Sequence, residues 1–161
     1  MDDKFPMTPA GLQKLKTDLK QVRDVDRHDN VREIEAALEH GDLRENAEYH
    51  AAKERQAQIA GRMRMLEYRI AHAMVIDPEE VKSDKIAFGA TVTLNDLDTD
   101  EEVVYAIVGE DESDVARGRI NVNSPIARAM IGKREGDEVI VRLPKGDREF
   151  EVVSVEFKAI T

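Results

Sequence analysis

The sequence predicts an α+β protein of two domains, an antiparallel helical-hairpin coiled coil followed by a mainly antiparallel sheet with one short helix. Three observations carry this. Apolar residues recur at alternating spacings of four and three through the first half of the chain; from Ile86 the apolar period falls to two; and a Pro-containing polar stretch separates the two regimes. The boundaries that follow are 1–77 for the hairpin, 78–85 for a linker and 86–161 for the sheet domain.

Thr8-Pro9 is a helix start, with Thr as N-cap and Pro at the first helical position, where its missing N–H costs nothing. Leu12, Leu15, Leu19 and Val22 then follow the spacing of a coiled-coil seam. The seam weakens through residues 26–30 and resumes at Val31, Ile34 and Leu38. Beyond Gly41 a second run places Ala52, Gln56, Ile59, Met63, Leu66, Ile70 and Ala73 on one stripe, so two long helices are expected within residues 8–75. The stripe offers two apolar positions per heptad, whereas a bundle helix needs about three. That favours a two-helix coiled coil. Arms of roughly 30 residues at 1.5 Å each give a rod about 45 Å long, a shape whose use is reach.

Ile76-Asp77-Pro78 ends the second helix. Strands are expected at 91–94, 103–108, 120–122, 138–141 and 150–155, separated by turn clusters at 96–100 and 144–147. One short helix, Pro125 to Ile131, is capped by Ser124 and ended by Gly132.

Bulk composition narrows the function. The 161 residues are 36% charged and 4% aromatic, with no Trp and no Cys, so disulfides and thiolate metal sites are excluded. No apolar stretch follows Met1-Asp2-Asp3-Lys4, so neither a signal peptide nor a membrane span is expected and the chain reads as cytoplasmic. A net charge of −10 argues against tight non-specific duplex binding, which needs a basic face. The charge is uneven: 13 Lys/Arg against 15 Asp/Glu up to residue 77, and 11 against 19 beyond it.

The segment Glu39 to His50 joins the helices. Gly41 suits the left-handed position after a helix, and Asp42 with Glu45 fits an N-cap and its capping-box partner. The same spacing gathers Asp42, Glu45 and Glu48 on one face, a partial site for a hard cation such as Mg²⁺. Two carboxylates are too few for a closed cage, so further ligands must come from a partner or from phosphates. Pattern alone does not choose between cap and site.

The stretch His40-Gly41-Asp42-Leu43-Arg44-Glu45-Asn46-Ala47-Glu48-Tyr49 resembles the tip signature of the bacterial Gre transcript-cleavage factors, in the GreA rather than the GreB version. Pro6-Met7-Thr8-Pro9-x-Gly11, Phe88-Gly89-Ala90-Thr91-Val92 and residues 122–133 match in the same order, so the resemblance spans the chain. It implies an FKBP-like fold for the second domain, which docks on the rim of RNA polymerase, with Ser124 and Pro125 as contacts. It implies a hairpin that enters the secondary channel of a backtracked enzyme, where Asp42 and Glu45 help hold the second catalytic Mg²⁺. Polymerase then cleaves the nascent RNA 3′ end; the factor is an accessory rather than an enzyme, with no cofactor held stably alone and only weak or indirect DNA contact.

Within this scheme Arg44 either offsets the acids or meets RNA phosphate, and Lys53 and Arg55 either contact extruded RNA or form an ordinary solvated face. Tyr49 is either a hairpin anchor or a stacking partner for RNA. Leu38 stands where GreA-like chains often carry a basic residue, which thins the RNA-contacting patch. Three rivals remain. One is a channel-binding regulator that does not stimulate cleavage, disfavoured by the retained Asp42 and Glu45. Another is a free-standing metalloenzyme using His40, Asp42, Glu45 and His50, disfavoured because a thin rod lacks a dry pocket. An active prolyl isomerase is the last, disfavoured by the scarcity of aromatics.

Overall fold

The computed structural model describes residues 3–41 and 46–161. By compactness the chain divides into one unit made of residues up to Leu12 together with Ala73–Thr161, and a second made of Gln13–His72. The expected fold class holds, a helical hairpin and a curled, mostly antiparallel sheet.

In the helical unit, α1 (Pro9–Gln21) continues through a π-helical turn, Val22–Asp26, into α2 (Arg27–Leu38), and α3 (Ala47–Ala71) returns antiparallel. The buried stripe of the first arm is Leu15, Val22, Asn30 and Ala37, in steps of seven, eight and seven residues. The eight-residue step spans the π turn, where Arg27 N–H reaches back to the Val22 carbonyl and one extra residue is absorbed. Ala52, Ile59 and Leu66 answer from α3 at an unbroken seven. This corrects the expected seam. Val31 and Leu38 are exposed at 44% and 46%, because the stripe passes through Asn30 and Ala37, one residue earlier. Asn30 is tolerated there because its amide donates to the Ala52 carbonyl at 2.9 Å.

The second helix also ends earlier than expected, at Ala71. Ala73–Val75 forms strand β2, parallel to β1 (Phe5–Met7), with Phe5 opposite Ala73 and Met7 opposite Val75. Ala73 is therefore in a strand, not on the seam. An apolar run that satisfies either period goes to the strand because a partner strand is present. The loop between the helices is also capped differently. Gly41 has the expected left-handed φ of 94°, but the N-cap of α3 is Asn46, whose side chain accepts the Tyr49 N–H. The expected Asp42–Glu45 capping pair lies outside the described residues, and the cap it was to form is supplied by Asn46.

The sheet runs β5 (Arg119–Asn121), β4 (Glu102–Val108), β3 (Thr91–Asp96), β7 (Gly146–Glu156), β6 (Glu138–Leu143). Its neighbours are antiparallel except β4 and β5. Strict alternation along β3 turns Val92, Leu94 and Asp96 inward. Val92 and Leu94 meet Ile107, Val139, Phe150 and Val152 in a core closed by Ala127 and Met130 of the short helix α4 (Pro125–Met130). Ser124 caps α4 as expected, accepting the Ala127 N–H at 3.3 Å.

A polar clamp ties the start of α1 into this unit. Thr8 is fully buried. The Glu112 carboxylate accepts its N–H at 3.0 Å, its hydroxyl, and the Gly109 N–H at 3.3 Å. The Thr8 hydroxyl oxygen in turn accepts from Gly11 N–H at 3.2 Å. A Cβ on Gly11 would collide with the Glu112 carboxyl group, which explains a glycine inside a first helical turn.

Glu112→Ala therefore strands buried Thr8 donors and is expected to cost about 1–3 kcal/mol. Gly11→Ala also destabilises the native protein, but less so in a Glu112→Ala background, where the collision is gone. A double-mutant cycle by denaturant unfolding measures this; additive effects would contradict the clamp.

Candidate functional site at the hairpin tip

The tip is built by two helix ends that stop for different reasons. α2 ends at Leu38, with Gly41 turning the backbone left-handed and donating to the Leu38 carbonyl at 3.3 Å. α3 begins at Ala47, directly after Asn46. The Asn46 amide nitrogen donates to the Ala37 carbonyl at 2.6 Å, and its oxygen accepts the Tyr49 N–H at 3.0 Å. His40 and Glu48 face each other across the same ends, Nε2 to Oε2 at 3.4 Å. The acids Asp42 and Glu45, with Arg44 between them, lie outside the described residues.

The other expected residues have definite surroundings. Lys53 donates to Gln56 Oε1 on its own helix at 2.6 Å. Lys53 also lines an open, largely apolar groove along the hairpin, about 710 Å³, with Arg27, Val31, Met63 and Arg64. Arg55 is ion-paired to Glu33 of α2. Tyr49 is half-buried, and its ring meets His50 edge-on at 5.7 Å. Among the described residues no group of three or more His, Asp or Glu is placed to hold a metal ion. The carboxylates of Asp42 and Glu45 suit Mg²⁺ in type but are too few to enclose it.

Ser124 and Pro125 sit at the start of α4. Ser124 is engaged in its capping bond, while Pro125 lines an apolar hollow of about 220 Å³ with Tyr105, Ile126, Leu143, Arg148 and Phe150. Arg148 closes one side, its guanidinium 5.3 Å from the Phe150 ring centroid. It is held by Asp96, an inward residue of β3 that is 2% exposed and also accepts N–H bonds from Asp98 at 2.9 Å and Thr99 at 3.3 Å. Sequence reasoning took Asp96 only as the edge of a turn. The available signal was its place in the alternation after Val92 and Leu94. Asn46 was missed too, although Asn three residues before Tyr49 at a helix start is itself a capping signal.

Residues 5–75 match the family described as "Transcription elongation factor, N-terminal", and residues 81–157 that described as "Transcription elongation factor, GreA/GreB, C-term". Transcription elongation factor GreA of Rickettsia felis is 52% identical over 160 residues, 99% of each chain. Its counterpart from Halorhodospira halophila is 51% identical over 156 residues, 96% of this chain and 99% of its own. Among solved structures, GreA factor homolog 1 (Gfh1) of Thermus thermophilus is 28% identical, covering 96% of this chain and 99% of that one, with a TM-score of 0.43.

The Asp96–Arg148 pair has a pH signature. The Arg148 guanidinium, then the Asp98 N–H, hold the Asp96 carboxyl below its ordinary value of 3.8, with burial opposing them. A carboxyl depressed in the folded state stabilises the fold above the unfolded value, and that contribution is lost as pH falls below 3.8. The wild-type melting temperature should therefore drop more steeply in that acid range than that of Asp96→Asn. Parallel curves would contradict the assignment.

Proposed function

Since this chain belongs to the GreA/GreB family of transcription elongation factors, we propose that it acts in the cytoplasm as an accessory factor that makes arrested, backtracked RNA polymerase cleave the 3′ end of its own transcript. The observation that carries this reading is the tip. In the sequence, two acids three residues apart stand between Gly41, which follows the first arm, and Asn46, which caps the second. A hairpin that buries so thin a seam does little as a core; it suits insertion into a narrow opening such as the polymerase secondary channel.

In this reading Asp42 and Glu45 present hard oxygen ligands and polymerase presents the rest. When bound, Mg²⁺ supplies Lewis acidity for attack by water on the RNA phosphodiester. Arg44, between the acids, limits their mutual repulsion. Lys53 and Arg55 meet the extruded RNA. For Arg55 this means exchanging Glu33 for a phosphate, and an exposed ion pair of that kind is worth only ~0–1 kcal/mol. DNA contact is weak or indirect, in keeping with the net charge of −10. Pro125 and the hollow beside it meet the polymerase rim, with Ser124 fixing the helix that carries Pro125.

The direct test is Asp42→Asn with Glu45→Gln on stalled, backtracked complexes. Polymerase binding is expected to survive and RNA shortening to be lost; retained shortening contradicts the role of the acids. Pro125→Glu keeps a good first helical residue but places a charge at the hollow. Affinity for polymerase is expected to fall by roughly tenfold or more, with cleavage at saturating factor preserved. Unchanged affinity would remove the hollow from the docking surface.

A further inference from the structure

We propose that Arg148 is the specificity-determining residue of the hollow beside Pro125, oriented there by Asp96, and that the hollow takes a polymerase segment in which an apolar side chain stands next to a carboxylate. This rests on the docking role proposed above for that hollow. Its lining is apolar, with Val141 and Phe150 buried and joined by Tyr105, Ile126 and Leu143. Arg148 is the one charged side chain among the described residues that line it. An apolar hollow with one convergent polar group binds an apolar side chain and reads what stands beside it. Beyond residue 77 the chain holds 11 Lys/Arg against 19 Asp/Glu, a background that repels acidic segments. A cation at the hollow therefore sets the place where such a segment is accepted.

Two contacts hold Arg148 before any partner arrives. Its guanidinium lies 5.3 Å from the Phe150 ring centroid, and Nη2 donates to Asp96 Oδ2. Asp96 is itself fixed, with Oδ1 accepting the Asp98 and Thr99 N–H groups. A guanidinium carries five N–H donors in a planar fork that matches a carboxylate. Among the described residues Asp96 engages only Nη2, and the side chain is 52% exposed, so Nε and Nη1 stay open to a partner. Asp96 offsets the charge but leaves those donors, and a side chain already held loses less freedom on binding. A nucleic-acid phosphate would also suit the fork, but the net charge of −10 opposes its approach.

The experiment measures the affinity of the full chain for RNA polymerase at low and moderate salt, beside circular dichroism melting. It compares wild type with Arg148→Met, Asp96→Asn and the double variant. Arg148→Met keeps the apolar stem as a wall and removes the donors. Its affinity is expected to fall roughly tenfold and to depend less on salt than that of wild type. A merely structural role would lower the melting temperature and leave the salt dependence as it was. Asp96→Asn keeps an acceptor for Asp98 and Thr99 but presents an amide N–H₂ to Arg148. Affinity should fall severalfold, with no further fall when Arg148→Met is already present. Wild-type affinity in Arg148→Met overturns the inference. So does an Asp96→Asn effect that is absent, or that persists in full beside Arg148→Met. Should Arg148→Met fail to fold, Arg148→Lys, which keeps a cation for Asp96 but loses the fork, decides by affinity alone. Pro125→Glu separates the two readings. If it leaves affinity unchanged, the docking role of the hollow fails and the inference fails with it. If it weakens binding while the folded Arg148 variant does not, only the inference about Arg148 is overturned.

Discussion

A buried amide helps set the register of the hairpin. The seam is thin: Leu15, Val22 and Ala37 on one arm, Ala52, Ile59 and Leu66 on the other. Apolar seams with a seven-residue repeat can slide by a heptad at modest cost in burial. Asn30 opposes this, because the observed register brings its amide to the Ala52 carbonyl. A register that left this buried amide without a partner would cost about 1–3 kcal/mol. The π turn at Val22–Asp26 belongs to the same solution, since its extra residue brings Asn30 and Ala37 onto the stripe begun by Leu15 and Val22. With the register fixed, Asn46 at the start of α3 meets Ala37 near the end of α2.

The sheet-containing unit uses the same device twice. Glu112 gathers the donors of buried Thr8 and of Gly109, holding the first turn of α1 where β1 and β2 pair. Asp96, facing the core from β3, gathers the turn that follows it and the Arg148 guanidinium. In each case a carboxylate with several donors does what an apolar side chain cannot, which is to specify one arrangement of neighbouring segments. The second clamp also shapes the hollow beside Pro125, because it sets where Arg148 lies over Phe150.

Periodicity makes much of this legible in the sequence and then misleads at particular residues. The shift from a period near 3.5 to a period of two marks both halves, and Ser124, Pro125 and Gly132 bracket α4 within a residue. The seam beyond Val22 is misplaced because a π turn leaves no trace in an apolar pattern, and because Asn30 reads as a break rather than a core position. The run from Ala73 to Val75 satisfies either period, and its partner, Phe5–Met7, lies some seventy residues away. Thr8 is legible as a cap, but its clamp joins residues 104 apart, beyond the reach of local pattern. The tip acids are legible in the motif, whereas the bond from Asn46 to the Ala37 carbonyl emerges only when the ends of α2 and α3 are seen together.

The central claim is that Asp42 and Glu45 complete a metal site that polymerase holds only in part. Its most direct measurement is the Mg²⁺ dependence of transcript cleavage in backtracked complexes, with and without saturating factor. The account predicts that the factor lowers the Mg²⁺ concentration giving half-maximal cleavage, and that Asp42→Asn abolishes the shift. An unchanged half-maximal concentration, with only the maximal rate altered, would contradict it.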